Sequence, residues 1–153
     1  YSWNLFHTFE LRDRERFSMG LYSLFAAGAS RRNFVSCETR EGIFGNCFTH
    51  GLALMLLRMS VIHEEADHLH LLCMTPLGFF QDGGFAWENV QTWFGEISIS
   101  ARYEKNTLHV NYKPPSRQKP AGTFLHLPPL DGMSQVKLNG KICNQTTGVV
   151  ELA

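Results

Sequence analysis

His50–Met74, HGLALMLLRMSVIHEEADHLHLLCM, changes period halfway along. Through Gly51–Ile62 the apolar residues fall at helical spacing. Leu52, Met55, Leu56 and Met59 lie on one side, and Leu54, Leu57 and Val61 on the other. Arg58 and Ser60 are the polar interruptions. A helix apolar nearly all round is expected to be buried, and this one is shorter than the about 20 residues that cross a bilayer. Glu64, Glu65 and Asp67 then break the run, and from His68 the chain reads as a strand, HLHLLCM. The sequence looks helical before this point and sheet-like after it. The helix is therefore expected to join two architectures.

Length and charge narrow the classes. The 153 residues make about one domain with a sizeable core. Lys+Arg and Asp+Glu both number 14, a balance that favours neither a nucleic-acid partner nor a polybasic membrane anchor. No signal peptide or membrane span is visible. The chain opens on Tyr1 without Met, straight into YSWNLFHTFELRD, and is expected to be a piece of a longer protein. Cys37, Cys47, Cys73 and Cys143 form no CxxC pair, which takes support from the zinc-ribbon and thioredoxin readings. Cys37 and Cys47 flank a short loop and would bridge in an exported protein; the other reading is four separate buried thiols. No cofactor motif is present.

Residues 1–10 are aromatic and polar without a clear period. Asp13 is placed to cap a helix through RERFSMGLYSLFAAG, with Phe17, Leu21, Leu24 and Phe25 as its apolar stripe and Gly28 as its stop. Gly20 inside that helix costs about 1 kcal/mol against Ala, which a closely approaching neighbour would explain. Residues 29–49 read as a loop of about 20 residues, a length that is usually functional. Phe34, Val35, Ile43, Phe44 and Phe48 would anchor it around Glu38, Arg40 and Glu41. Expected strands are His68–Met74, Gly95–Tyr103, Thr107–Tyr112, Gly122–Leu127, Ser134–Leu138 and Gly148–Leu152. Hairpins are expected at Glu104-Lys105-Asn106 and at Asn139-Gly140. The fold class is thus mainly β: a mostly antiparallel sandwich over 67–153, preceded by two helices within a helical segment 1–66.

The order of features resembles the C-terminal end of the bacterial six-hairpin glycosidase-like proteins. The resemblance rests on FVSCE, the helix ending LLRM, the strand LHLL, Thr75-Pro76, Thr92 with Phe94-Gly95, and Val136 with Asn139-Gly140. It runs from about Phe17 to the end. Cys37 stands where the group usually has Gly, and Gln91 where it usually has Pro. The resemblance implies that the two helices close an (α/α)6 barrel whose other helices lie upstream in the same parent chain. It also implies a carbohydrate substrate and a glycoside hydrolase reaction.

Such hydrolysis uses two carboxyl groups, one acid and one base or nucleophile. The resemblance would let this piece supply one, Glu38, with Arg40 setting its charge state and Glu41 as substitute. Paired with Arg31, Arg32 or Arg40, Glu38 would instead be structural. Trp3, with Tyr1, Phe6 and His7, would line a sugar pocket or simply fill core. His50, at the helix start beside the loop, would reach the same site. His68 and His70 share a strand face with His63 and Glu64 nearby, but no spacing here is a metal signature. The reading is a carbohydrate-active enzyme's C-terminal portion, without cofactor or metal. The alternatives are a non-catalytic sugar-binding sandwich and a structural interaction module.

Overall fold

The computed structural model describes residues 2–28 and 47–152, with side chains from 4 to 26 and from 51 to 152. Among these residues three helices, α1 (Ser2–Glu10), α2 (Arg14–Gly28) and α3 (Cys47–Val61), stand against two sheets. One sheet has the order β1 (Ile62–Glu65), β2 (His68–Leu71), β6 (Gly122–His126), β9 (Val149–Leu152). The other runs β3 (Phe85–Thr92), β4 (Gly95–Glu104), β5 (Thr107–Lys113), β7 (Gln135–Leu138), β8 (Lys141–Ile142). The fold is mainly β, a sandwich preceded by helices.

Alternation builds the sandwich core. Ile97, Ile99 and Ala101 of β4 turn inward while Glu96 and Arg102 stay in water. Leu108, Val110 and Tyr112 of β5 do the same, and meet Leu69, Leu71 and Leu125 from the other sheet in one cluster. Both expected hairpins close in two residues. Lys105 and Asn106 have φ of 49° and 61°, and Asn139 and Gly140 have 48° and 80°, the left-handed pairs that match strand twist.

The structure corrects or sharpens several expectations. Residues 1–10 are not irregular: α1 buries Leu5 and Phe9, one turn apart. The sandwich is mostly antiparallel, as expected, and the structure adds two parallel pairings, β2–β6 and β5–β7. Glu64-Glu65 is not a break but the end of β1, which turns through Ala66 at φ 53° and pairs back on β2. Strand β3 lacks clean alternation because a bulge shifts its register between Trp87 and Val90, with Asn89 at φ 54°. Helix α3 also begins at Cys47 rather than Gly51.

The helices form a second core. Leu5 and Phe9 meet Phe17, Leu21, Ala53 and Leu56. Burying a Leu or Phe of this kind contributes about 1.5–3 kcal/mol. Gly20 has its reason: a Cβ there would lie 2.4 Å from Leu5 Cδ2, so Leu5 packs into the space that the missing side chain leaves between α1 and α2. Asp13 caps α2 by accepting the Arg16 N–H at 3.1 Å. Helix α3 is not buried all round. Leu56 is 0% exposed, yet Leu54 is 63% and Met55 40% exposed.

Two arginines bolt the helices to the sandwich. Arg14 donates to the carbonyls of Thr75, Cys73 and Leu72. Arg58 of α3 makes a two-pronged ion pair with Glu64 of β1 at 2.6 and 2.7 Å, and donates to the Gln91 carbonyl of β3. Glu64 also accepts the Trp93 N–H at 3.3 Å. Burial pushes the Glu64 carboxyl up, but the Arg58 bonds and charge outweigh it and hold it below the usual range. Helix, sheet edge and opposite sheet therefore meet at one charge pair.

Candidate functional site

The loop carboxylates and their neighbour, Glu38, Glu41 and Arg40, lie outside the described residues, as does Cys37; Cys47 begins α3, but its side chain is outside them, so the Cys37–Cys47 pair is not described. Trp3 lies on α1 and His50 on α3, but their side chains are also outside them. Of the described cysteines, Cys73 and Cys143 are free. Burial pushes the Cys73 thiol up to about 11, so it behaves as a packed hydrophobe rather than a nucleophile.

What the structure does assemble is a histidine face on the four-stranded sheet. On β1, residues 63 and 65 point one way and 64 the other. His63 pairs with His70, and Glu65 with His68. Parallel pairing sets Phe124 beside His70, and alternation then puts His126 on the same face. The carboxylate beside the histidines is thus Glu65, not Glu64. His70 Nδ1 and His126 Nε2 are 2.9 Å apart, and His70 Nε2 is 3.6 Å from Glu65 Oε2. Arg12, in the turn between α1 and α2, reaches Glu65 at 3.8 Å and lies over the Phe9 ring at 5.3 Å. The Phe9 ring meets His63 edge-on at 5.0 Å, and Phe124 stacks on His70 at 5.2 Å.

This chain of carboxylate, imidazole and imidazole is partly buried. Burial is the first cause for His63, His70 and His126, and each pKa falls. Arg12 adds to it for both His63 and His70, His63 and His68 add less for His70, and Glu65 opposes it for both. His126 drops to about 4, through burial, then His70, Arg12 and Arg14. In the neutral state one ring donates and the other accepts; with both protonated, two donors face each other. Among the described residues no group of three or more His, Cys, Asp and Glu is arranged to hold a metal ion.

The pH dependence follows in sign. A histidine whose folded pKa lies below its unfolded value of about 6.5 stabilises the protein fully above that value. The contribution is lost as the pH falls toward about 4, because the unfolded chain takes up a proton that the folded one refuses. Linkage sets a ceiling of about 3 kcal/mol, and solvent screening at a partly exposed ring cuts it to about 1–2 kcal/mol. Melting temperature should thus fall between pH 6.5 and 4 more steeply in the wild type than in His126→Gln. Parallel profiles for the two proteins would remove His126 as the cause.

Sequence reading had flagged His63, His68 and His70 but missed His126, which lies 56 residues from His70 and arrives only through the parallel β2–β6 pairing. It also missed a second polar face, on the five-stranded sheet, where Arg102, His109 and Lys137 line an open groove. The outward alternation of Arg102 was visible in sequence, but its partners required the register. No helix of the described residues is long and apolar enough to cross a membrane. No family model, curated protein or solved structure matches the chain.

Proposed function

We propose that this chain is the C-terminal portion of a glycoside hydrolase. In this reading its sandwich braces a helical catalytic barrel, and the loop before α3 lends that barrel Glu38. The observation that carries the reading is the joint. Helix α3 passes into β1 without a loop, and Arg14 and Arg58 lock the helical layer onto the sheets. A sandwich joined this rigidly suits the positioning of helices against a site more than free binding on a tether.

The motifs behind the resemblance also hold key structural positions. Thr75 is fully buried, donates to the Ser60 carbonyl at 2.9 Å, and offers its own carbonyl to Arg14. Thr92 closes the β3–β4 turn, donating to the Gly95 carbonyl at 2.6 Å and accepting the Phe94 N–H at 3.2 Å. Asn139 binds the Tyr112 backbone at both N and O, at 2.8 and 3.0 Å, tying the β7–β8 turn to β5. The exposed Leu54 and Met55 of α3, and Met19 and Tyr22 of α2, fit helices that would pack against further helices.

The test compares two proteins on one panel of aryl glycosides and polysaccharides. The complete gene product should hydrolyse at least one substrate. The 153-residue chain alone should hydrolyse none, because one carboxylate cannot perform both roles. A complete product inactive on the whole panel, or turnover by the chain alone, would overturn the reading.

A further inference from the structure

The outer face of the five-stranded sheet carries a groove of about 590 Å³, within the size range of small-molecule sites. Register puts three basic side chains in one row across it. Arg102 of β4 pairs with His109 of β5, and His109 pairs with Lys137 of β7. Such neighbours stand about 5 Å apart on one face. Arg102 and Lys137, the two permanent charges of the row, stand two strands apart with His109 between them. No Asp or Glu lines the groove. Asp82 precedes Gly83 in the chain without lining it, and Glu104, next on the Arg102 face, faces Lys105 at 3.9 Å. Among the described residues none of the three basic side chains has an ion pair.

The groove is built from more than the basic row. Ser100 and Asn111 form the adjacent row, joined by an Asn111 Nδ2 to Ser100 Oγ bond of 3.3 Å. Gly84 closes one end. At φ +80°, its Cβ would fall 2.2 Å from the Ala101 carbonyl oxygen and 2.6 Å from Arg102 Cβ, so only glycine lets the chain lie this close to the basic row.

We propose that this groove binds the oxyanion group of a small ligand, with Arg102 and Lys137 as charge partners and Ser100 and Asn111 as hydrogen-bonding neighbours. Arg supplies the planar fork that fits a carboxylate or sulfate, and Lys a point charge. A carboxylate on an acidic sugar and a sulfate group present the same chemistry to this row. The proposal does not rest on the hydrolase reading, because the groove lies on the sandwich and uses none of the loop residues.

The test is an NMR titration of the isotope-labelled protein with sodium sulfate, galacturonate and neutral galactose. Sulfate, galacturonate or both should give saturable shifts centred on Arg102, His109 and Lys137, and galactose should give none. Saturation by galacturonate alone assigns a carboxylate ligand, and by sulfate alone a sulfate-like one. The double variant Arg102→Gln/Lys137→Gln should weaken binding about tenfold or more. Lys105→Gln, at an exposed hairpin tip, should leave it unchanged. Shifts that never saturate, an equal response to galactose, or an equal loss in Lys105→Gln would overturn the proposal.

Discussion

Leu56→Ala should destabilise the protein by about 2–5 kcal/mol, through lost apolar transfer and the cavity left behind. Leu56 is 0% exposed and sits where α3 meets α1, α2 and the segment that follows β2, among Phe9, Phe17 and Met74. The surroundings cannot collapse easily onto the vacated space. Gly20 already holds α1 against α2 at contact, and Arg14 fixes the chain at Cys73 and Thr75 by backbone hydrogen bonds. Leu54→Ala is the internal comparison. That side chain is 63% exposed, so its loss should stay within about 0.5 kcal/mol. Denaturant unfolding of both variants decides the matter. Equal effects at the two positions would mean that α3 does not present the face described.

Glu38→Gln in the complete gene product should lower kcat by about 10²–10⁴-fold, the usual contribution of a positioned proton-transfer group. The change keeps size and hydrogen bonding but removes the charge. On the proposed reading it should leave thermal stability nearly untouched, since the residue serves the reaction and not the packing. A carboxylate serving only as ion-pair partner to Arg31, Arg32 or Arg40 would show the reverse: lower stability and wild-type kcat per folded molecule. Both quantities are to be measured on the same preparation. Unchanged turnover in a fully folded variant would withdraw Glu38 from catalysis, leaving the sandwich as brace alone.

What sequence by itself determined was local. Strict alternation from Gly95 to Arg102 specified a strand with one wet face, and the structure keeps it residue for residue. Asn139-Gly140 specified a two-residue turn because both positions need positive φ. Asp13 specified a helix start, and Gly20 a close neighbour, later seen as Leu5. Each depends on a few adjacent dihedrals or one missing side chain. Tertiary structure decided the rest. Ile62 read as the last residue of the helix and Glu64 and Glu65 as a break after it, and they become strand only because β2 supplies their hydrogen bonds. Strand β3 was hidden because its bulge costs it alternation, and β4 alone sets its register. Both polar faces depend on parallel pairings between strands far apart in the chain, β2 with β6 and β5 with β7. Those pairings bring His126 to His70 and Lys137 to His109. A strand's own residues say which side chains share a face, but not which distant strand lies beside it. That choice is made by the free energy of closing the whole sandwich core.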